Sequence, residues 1–213
     1  MRVSDSKKVV FVHVPKSGGS TIDLIFDREV EDARKIADRA RHAPYGRLLN
    51  AEPDLADYWS FGFVRNPWAR LVSWWAMVHG LFERAEQGHQ AAIDKIEGAP
   101  GVWKPEGAYA NDFDGFILEG TVTLAKLGRP QLVTLSAQDR IVDFVGRVEN
   151  YDHDVAVVRE RLGLPPVEKL PRQNKSSHGH YSEYYNPDTR AKVAEVYAAD
   201  IEAFGYEYED RTV

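Results

Sequence analysis

The stretch Phe11-Val-His-Val-Pro-Lys-Ser-Gly-Gly-Ser-Thr21 constrains the fold of this chain more than any other. Val9 to Val14 is a short β-branched run, which predicts a buried strand, and Pro15 marks its end because it has no N–H to give a ladder. Ser17-Gly18-Gly19-Ser20-Thr21 then leads into Ile22, Ile25 and Phe26 at helical spacing. A strand, a glycine-bearing turn and a helix start together make an anion cradle. Glycines let backbone N–H groups converge, and the helix N-terminus adds partial positive charge. The hydroxyls of Ser17, Ser20 and Thr21 add donors, and Lys16 adds a full charge. This is not a Walker A loop, which carries its lysine directly before Ser or Thr at the helix start. Here Lys16 precedes the glycines. Taken alone, the segment is also compatible with an ordinary strand-to-helix turn bearing a surface lysine.

A second segment answers the first. Trp59 to Val64 alternates and is rich in aromatics, which predicts the second core strand. It ends in Arg65-Asn66-Pro67, where Asn66 suits a helix N-cap and Pro67 the first helical position. Leu71, Trp74, Trp75 and Val78 follow at helical spacing, and the two tryptophans read as core rather than as a sugar platform. Arg65 stands at the strand's carboxyl end, with Ser73 about two turns into the helix. Arg70 reads as a near neighbour or as a structural residue. Ligands of open α/β sheets bind beyond the carboxyl ends of the strands, so the turns at Lys16 and Arg65 are expected to open on one edge.

The rest of the chain reads as follows. Helix one is expected from Ser20 towards Ala40, its charged second half facing solvent, with a turn at His42-Ala-Pro-Tyr-Gly46. Leu48 to Tyr58 is ambiguous. Residues 80–135 read as a partly irregular, substrate-facing insertion or a plain connection, with loop signals at Gly98–Gly101 and Lys104–Gly107 and one short helix over Asn111–Leu118. Ile141–Val145 predicts a further buried strand. Asp152 is expected to cap a helix through Leu162 that stops at Gly163. Asn186-Pro187 is expected to start a last helix ending at Gly205, with an edge strand over Tyr206–Tyr208. The expected architecture is α/β, a P-loop-like three-layer fold with a central, mostly parallel sheet flanked by helices. It forms a single domain over residues 1–213.

Composition removes several function classes. A net charge of −6 argues against non-specific nucleic-acid binding, so any phosphate site is a local positive pocket in an acidic protein. With no cysteine, disulfides and thiolate metal sites are excluded. No apolar run approaches the ~20 residues that span a bilayer. The N-terminus runs straight into the first strand without a signal-peptide pattern, so a cytoplasmic protein is expected.

Val14-Pro-Lys-Ser-Gly-Gly-Ser-Thr21 resembles the 5′-phosphosulfate loop of sulfotransferases that use 3′-phosphoadenosine 5′-phosphosulfate (PAPS). Phe63-Val-Arg-Asn-Pro-Trp-Ala-Arg-Leu-Val-Ser-Trp-Trp75 resembles their 3′-phosphate segment, R-[DN]-P-x-x-R-x-x-S. Val145-Gly-Arg-Val-Glu-Asn150 and Val196–Tyr206 resemble later segments of the same family, leaving residues 80–135 uncovered. The branch resembled is the carbohydrate type, including heparan-sulfate 2-O-sulfotransferase-like and bacterial members.

The resemblance implies an enzyme that moves a sulfuryl group from PAPS to an acceptor hydroxyl, on a carbohydrate, and releases PAP. No metal is required. Lys16, Ser17, Gly18, Gly19, Ser20 and Thr21 would bind the 5′ end, Arg65 and Ser73 the 3′-phosphate, and Lys175 and Ser176 would close over the nucleotide. Lys16 would also assist the leaving phosphate. His42 is the expected general base, since relatives carry a histidine in a comparable place and its ordinary pKa of ~6.5 suits the task; elsewhere in the family a carboxylate serves. His13 reads as structural, and His178 and His180 as loop residues rather than metal ligands. Two alternatives stand beside this reading. A P-loop nucleotide kinase would need Mg²⁺ and a carboxylate where this chain has Arg65. A non-catalytic PAP-binding protein would keep the phosphate loops alone.

Overall fold

A computed structural model describes residues 1–36, 41–167, 170 and 179–211. The chain forms two compact units: residues 1–66 with 131–175, and residues 67–130 with 176–213.

The first unit is built on a sheet. Strands β1 (Arg2–Ser4), β2 (Val9–Val12), β3 (Trp59–Val64) and β6 (Phe144–Arg147) lie in that order, β1 antiparallel to β2 and the other neighbours parallel. β2 is buried along its whole length, as its unbroken Val-Val-Phe-Val predicts for a strand covered on both faces. Phe11, Phe61 and Phe63 point to one face, where α1 (Gly19–Glu29) brings Ile22, Ile25 and Phe26 and α9 (Tyr151–Arg161) brings Val155 and Val158. Each large side chain buried there stabilises the unit by about 1.5–3 kcal/mol. On the other face Gly62 leaves room for Leu135 of α8 (Gln131–Leu135); a Cβ at that position would overlap it. Helices on both faces of a mostly parallel sheet are the architecture the sequence predicts. α2 (Tyr45–Ala51) and a short 3-10 turn at Pro53–Asp57 fill the ambiguous stretch. A two-stranded ribbon, β4 (Ser136–Ala137) with β5 (Arg140–Ile141), precedes β6. The expected strand at Ile141–Val145 is therefore divided between β5 and β6.

α1 is shorter than its periodicity suggests. It stops at Glu29, and Val30 is extended. Arg34 then forms a bridge with Val3, donating and accepting at 2.9 Å, while its guanidinium bonds Asp5 and Glu52. These tertiary bonds override the helical propensity of a charged segment. The end of the expected helix, residues 37–40, lies outside the described residues.

The second unit is helical. α3 (Pro67–Glu86) starts at Pro67 as expected and is followed by α4 (Gln90–Gly98), α5 (Pro100–Gly107), α6 (Phe113–Leu118) and α7 (Gly120–Thr123). Helices α4 and α5 occupy the stretch whose glycines and prolines read as loop. Gly98 closes α4 and Pro100 opens α5, so the signals mark helix ends. α10 (Pro187–Val196) is capped by Asn186, which accepts from Thr189 N–H at 2.9 Å, and α11 (Ala198–Phe204) stops at Gly205 with φ 62°.

The expected edge strand at Tyr206–Tyr208 does not form. The Tyr206 amide donates to the Ile201 carbonyl at 3.2 Å, and just beyond the stretch the Glu209 amide donates to the Tyr181 hydroxyl at 2.7 Å and the Arg211 amide to Ser182 Oγ at 3.2 Å. The Tyr208 ring meets Trp68, Tyr181 and Tyr185 edge-on, with the Arg190 guanidinium 4.2 Å above it.

Candidate active site

β2 delivers the chain to a turn with unusual backbone geometry. Lys16 has φ 65° and Gly18 φ 79°. For lysine this left-handed conformation costs about 1–3 kcal/mol, which the surrounding structure must hold in place. Part of that hold is Ser17, buried beneath the turn, whose hydroxyl donates to the Val14 carbonyl at 2.8 Å. The Ser17 proton is thus committed to the loop itself, and Ser17 can offer an anion its backbone N–H.

The two glycines are required for different reasons. At Gly18 the φ is positive, and a Cβ would stand 2.6 Å from the Tyr151 ring. At Gly19, the first residue of α1, a Cβ would overlap the imidazole of His13. The result is a bare helix N-terminus with side chains pressed against it from below.

His13 is the centre of the next layer. It is buried, and its Nδ1 lies 3.3 Å from Asp23 Oδ2, close but poorly aligned for a hydrogen bond. Asp23 also accepts from Arg2 Nε at 3.1 Å and from Arg41 at 2.6 Å, and the same Arg41 nitrogen reaches Ser20 Oγ at 3.3 Å. Burial alone would push the Asp23 carboxyl up, but His13, Arg41 and the Met1 amine together hold it well below the usual carboxylate range. Burial pushes His13 down to about 4 despite that carboxylate, so its ring is neutral near pH 7.

His42 completes the cluster. Its ring stands edge-on to His13 with centroids 4.5 Å apart, and its Nδ1 meets the His13 carbonyl at 3.1 Å. A carbonyl only accepts, so Nδ1 carries the proton and Nε2 keeps the lone pair. Burial first, then His13, Arg41 and the Met1 amine, push His42 down to about 3. His42 is therefore unprotonated at neutral pH. The glycine turn and His42 both rest on His13.

Arg65 directly follows β3, and β2 and β3 run parallel in register, Val12 beside Gly62, so both turns leave the same edge of the sheet. Its backbone is gripped by Gln131, a fully buried side chain that accepts from the Arg65 N–H at 2.9 Å and donates to the Arg65 carbonyl at 2.8 Å. The next amide, Asn66, donates to Glu149 Oε1 at 2.7 Å. Ser73 is a buried residue of α3 in the second unit, and Arg70 is buried there with its guanidinium 5.4 Å from the Trp74 ring centroid.

Lys16 through Thr21, His42 and Arg65 thus fall within the first unit. Lys175, Ser176 and His178 lie outside the described residues. Sequence reasoning did not single out Arg41, Gln131, Glu149 or Tyr151, and treated His13 as structural alone. The one local signal was His13 itself, a polar ring in an otherwise apolar strand directly before the glycine turn. Among the described residues no group of His, Asp or Glu is arranged to hold a metal ion, and no helix is long and apolar enough to cross a membrane.

A mostly parallel sheet flanked by helices, with a glycine turn leading from the carboxyl end of β2 into α1, is a P-loop-like α/β fold. The sulfotransferase family profile matches residues 1–207, nearly the whole chain. The chain belongs to the sulfotransferase family and is a transferase of sulfuryl groups. No curated protein and no solved structure gives a significant match.

Proposed function

We propose that this chain transfers a sulfuryl group from PAPS to a hydroxyl of a carbohydrate or glycoconjugate, with His42 as general base. The observation that carries this reading is the joint seat on His13. Its ring packs under Gly19 of the phosphate turn, and its carbonyl fixes His42 with Nε2 unprotonated. A base and an anion cradle share one support. The residues present fit the donor, because Gly18 and Gly19 let the backbone of the turn seat directly on the Tyr151 and His13 rings at the head of α1, and Lys16 stands in the same turn.

When bound, PAPS supplies a sulfuryl group activated by a phosphoanhydride link. Lys16 and the N–H groups from Ser17 to Ser20 hold the 5′ end, the Thr21 N–H being given to the Gly18 carbonyl at 3.2 Å, and Lys16 neutralises charge developing on the departing phosphate oxygen. Arg65 holds the 3′-phosphate with a fork of donors. The sequence motif alone assigns Ser73 to the 3′-phosphate. The family resemblance alone assigns Lys175 and Ser176, which lie outside the described residues, to nucleotide binding. His42 Nε2 takes the proton of the acceptor hydroxyl as the new S–O bond forms and the old one breaks.

A bound polyanion raises the pKa of a nearby imidazole, which would bring His42 towards its working range only in the loaded enzyme. Transfer of labelled sulfate from PAPS to a panel of glycans, in EDTA, tests the proposal. Label on a glycan with wild type, and a loss of about 100-fold or more with His42→Ala, is expected. Transfer that survives His42→Ala would remove the base assignment, and label on no glycan would remove the acceptor class.

A further inference from the structure

We propose that the turn Arg147–Tyr151 fixes the spacing between the two anion half-sites, and so selects a nucleoside phosphorylated at both 3′ and 5′ positions. The inference rests on the PAPS reading and adds residues which that reading does not use.

Two bonds from this one turn reach the two half-sites. At its far end the Tyr151 hydroxyl donates to the Gly18 carbonyl at 2.6 Å, across 133 residues of sequence. The Tyr151 ring also fills the space a Gly18 side chain would take, and Thr21 hydrogen-bonds the same hydroxyl. Burial pushes this phenol up to about 12, so it stays a donor throughout the working pH range. Two residues earlier, Glu149 accepts the Asn66 N–H at 2.7 Å, directly beyond Arg65.

The segment between these contacts is stiff. It forms a 3-10 turn over Val148–Asn150, and Asp154 accepts from the Arg147 N–H at 2.7 Å and from Asn150 Nδ2 at 3.0 Å. β6 leads into it in register with β3, with Arg147 beside Val64. One rigid turn therefore holds the loop at Gly18 and the backbone at Asn66 at a set separation. Glu149 also places a carboxylate at the amide beyond Arg65, which disfavours an anion there and leaves the 3′ site to the Arg65 side chain. A ligand with one phosphate uses one half-site and is indifferent to the separation, whereas a ligand with two must match it.

Calorimetric titration of PAP and AMP in EDTA, into wild type, Tyr151→Phe, Glu149→Met (which has no oxygen to accept the Asn66 N–H) and the double variant, tests the proposal. Tyr151→Phe removes one oxygen and keeps the ring, so it reports even if a Glu149 variant fails to fold. Each single variant is expected to lower the ratio of PAP to AMP affinity about fivefold. The double variant should lose little more than the worse single, because both substitutions release the same restraint. In turnover, the donor KM should rise while kcat at saturation changes less than about twofold. Glu160→Gln, on the exposed side of α9, should leave the ratio unchanged. Equal losses for PAP and AMP, or unchanged affinities with only a lower melting temperature, would overturn the proposal. A wild type that binds PAP no better than AMP would instead defeat the PAPS reading and the proposal with it.

Discussion

The two units of this chain place glycine against an aromatic ring in opposite ways. In the first, Gly19 lies against His13 at the head of α1, and His13 is buried with a carboxylate behind it. In the second, Gly107 of α5 lies against the Phe82 ring. The Phe82 ring is the end of a flexible, half-buried side chain and can turn aside. His13 cannot, because its ring and carbonyl are both engaged. The first unit uses polar groups to hold backbone in place, Ser17 beneath Lys16, Tyr151 at Gly18 and Gln131 at Arg65. The second is held by rings, such as Trp75 stacked on His79 and Trp68 edge-on to Tyr208, and such packing relaxes more readily. Rigidity is concentrated where charge has to be placed.

The sharpest way to break this contrast is to add one methyl group to each unit. Gly19→Ala should lower kcat/KM by about 100-fold or more, because it displaces both the cradle and the support of His42. Gly107→Ala should lower the melting temperature by a few degrees and leave PAP affinity unchanged. Comparable losses of affinity in both variants would erase the distinction. Within the first unit, Lys16→Ala should lower kcat by about 100-fold at nearly unchanged donor KM. Arg65→Ala should chiefly raise that KM, by about tenfold or more. Equal damage to both parameters in both variants would contradict this division of labour.

The pH dependence separates the units more gently. His42, held at about 3 in the free enzyme, stays unprotonated, so kcat/KM should show no acid limb near the ordinary histidine pKa. A limb near ~6.5 would show that His42 is solvated rather than buried. His13 is depressed to about 4, so the unfolded chain binds its proton first as pH falls. Its contribution to stability is complete above ~6.5 and is lost as pH falls towards 4. Asp23, also depressed, adds a loss of the same sign further down. Melting curves across this range should show the decline, and His13→Phe should reduce it. The smallest effect is expected at Trp75→Phe, which forfeits the bond to the Tyr109 carbonyl at 3.1 Å, worth about 1 kcal/mol, with no change in PAP affinity.

What the sequence made legible follows the same line. β3 over Trp59–Val64, the Asn66-Pro67 and Asn186-Pro187 helix starts and the stops at Gly163 and Gly205 are local signals, and each stands where it was read. The end of α1 was not legible, because Arg34 answers to Val3 and Glu52 rather than to its neighbours. The aromatic end at Tyr208 reads as a strand until its partners are known. In the candidate site, Lys16, the glycine turn, Arg65 and His42 could be named from their motifs. Gln131, Glu149 and Tyr151 could not, since they act on residues 66, 83 and 133 positions away through bonds that leave no local pattern.

The most direct test of the account is calorimetric titration of PAP, ADP and ATP with EDTA present. It predicts metal-free binding of PAP in the micromolar range, with ADP weaker by about tenfold or more, since ADP lacks the 3′-phosphate that Arg65 would hold. A magnesium-dependent preference for ATP would contradict it, and would make the cradle at Lys16 a nucleoside-triphosphate site instead.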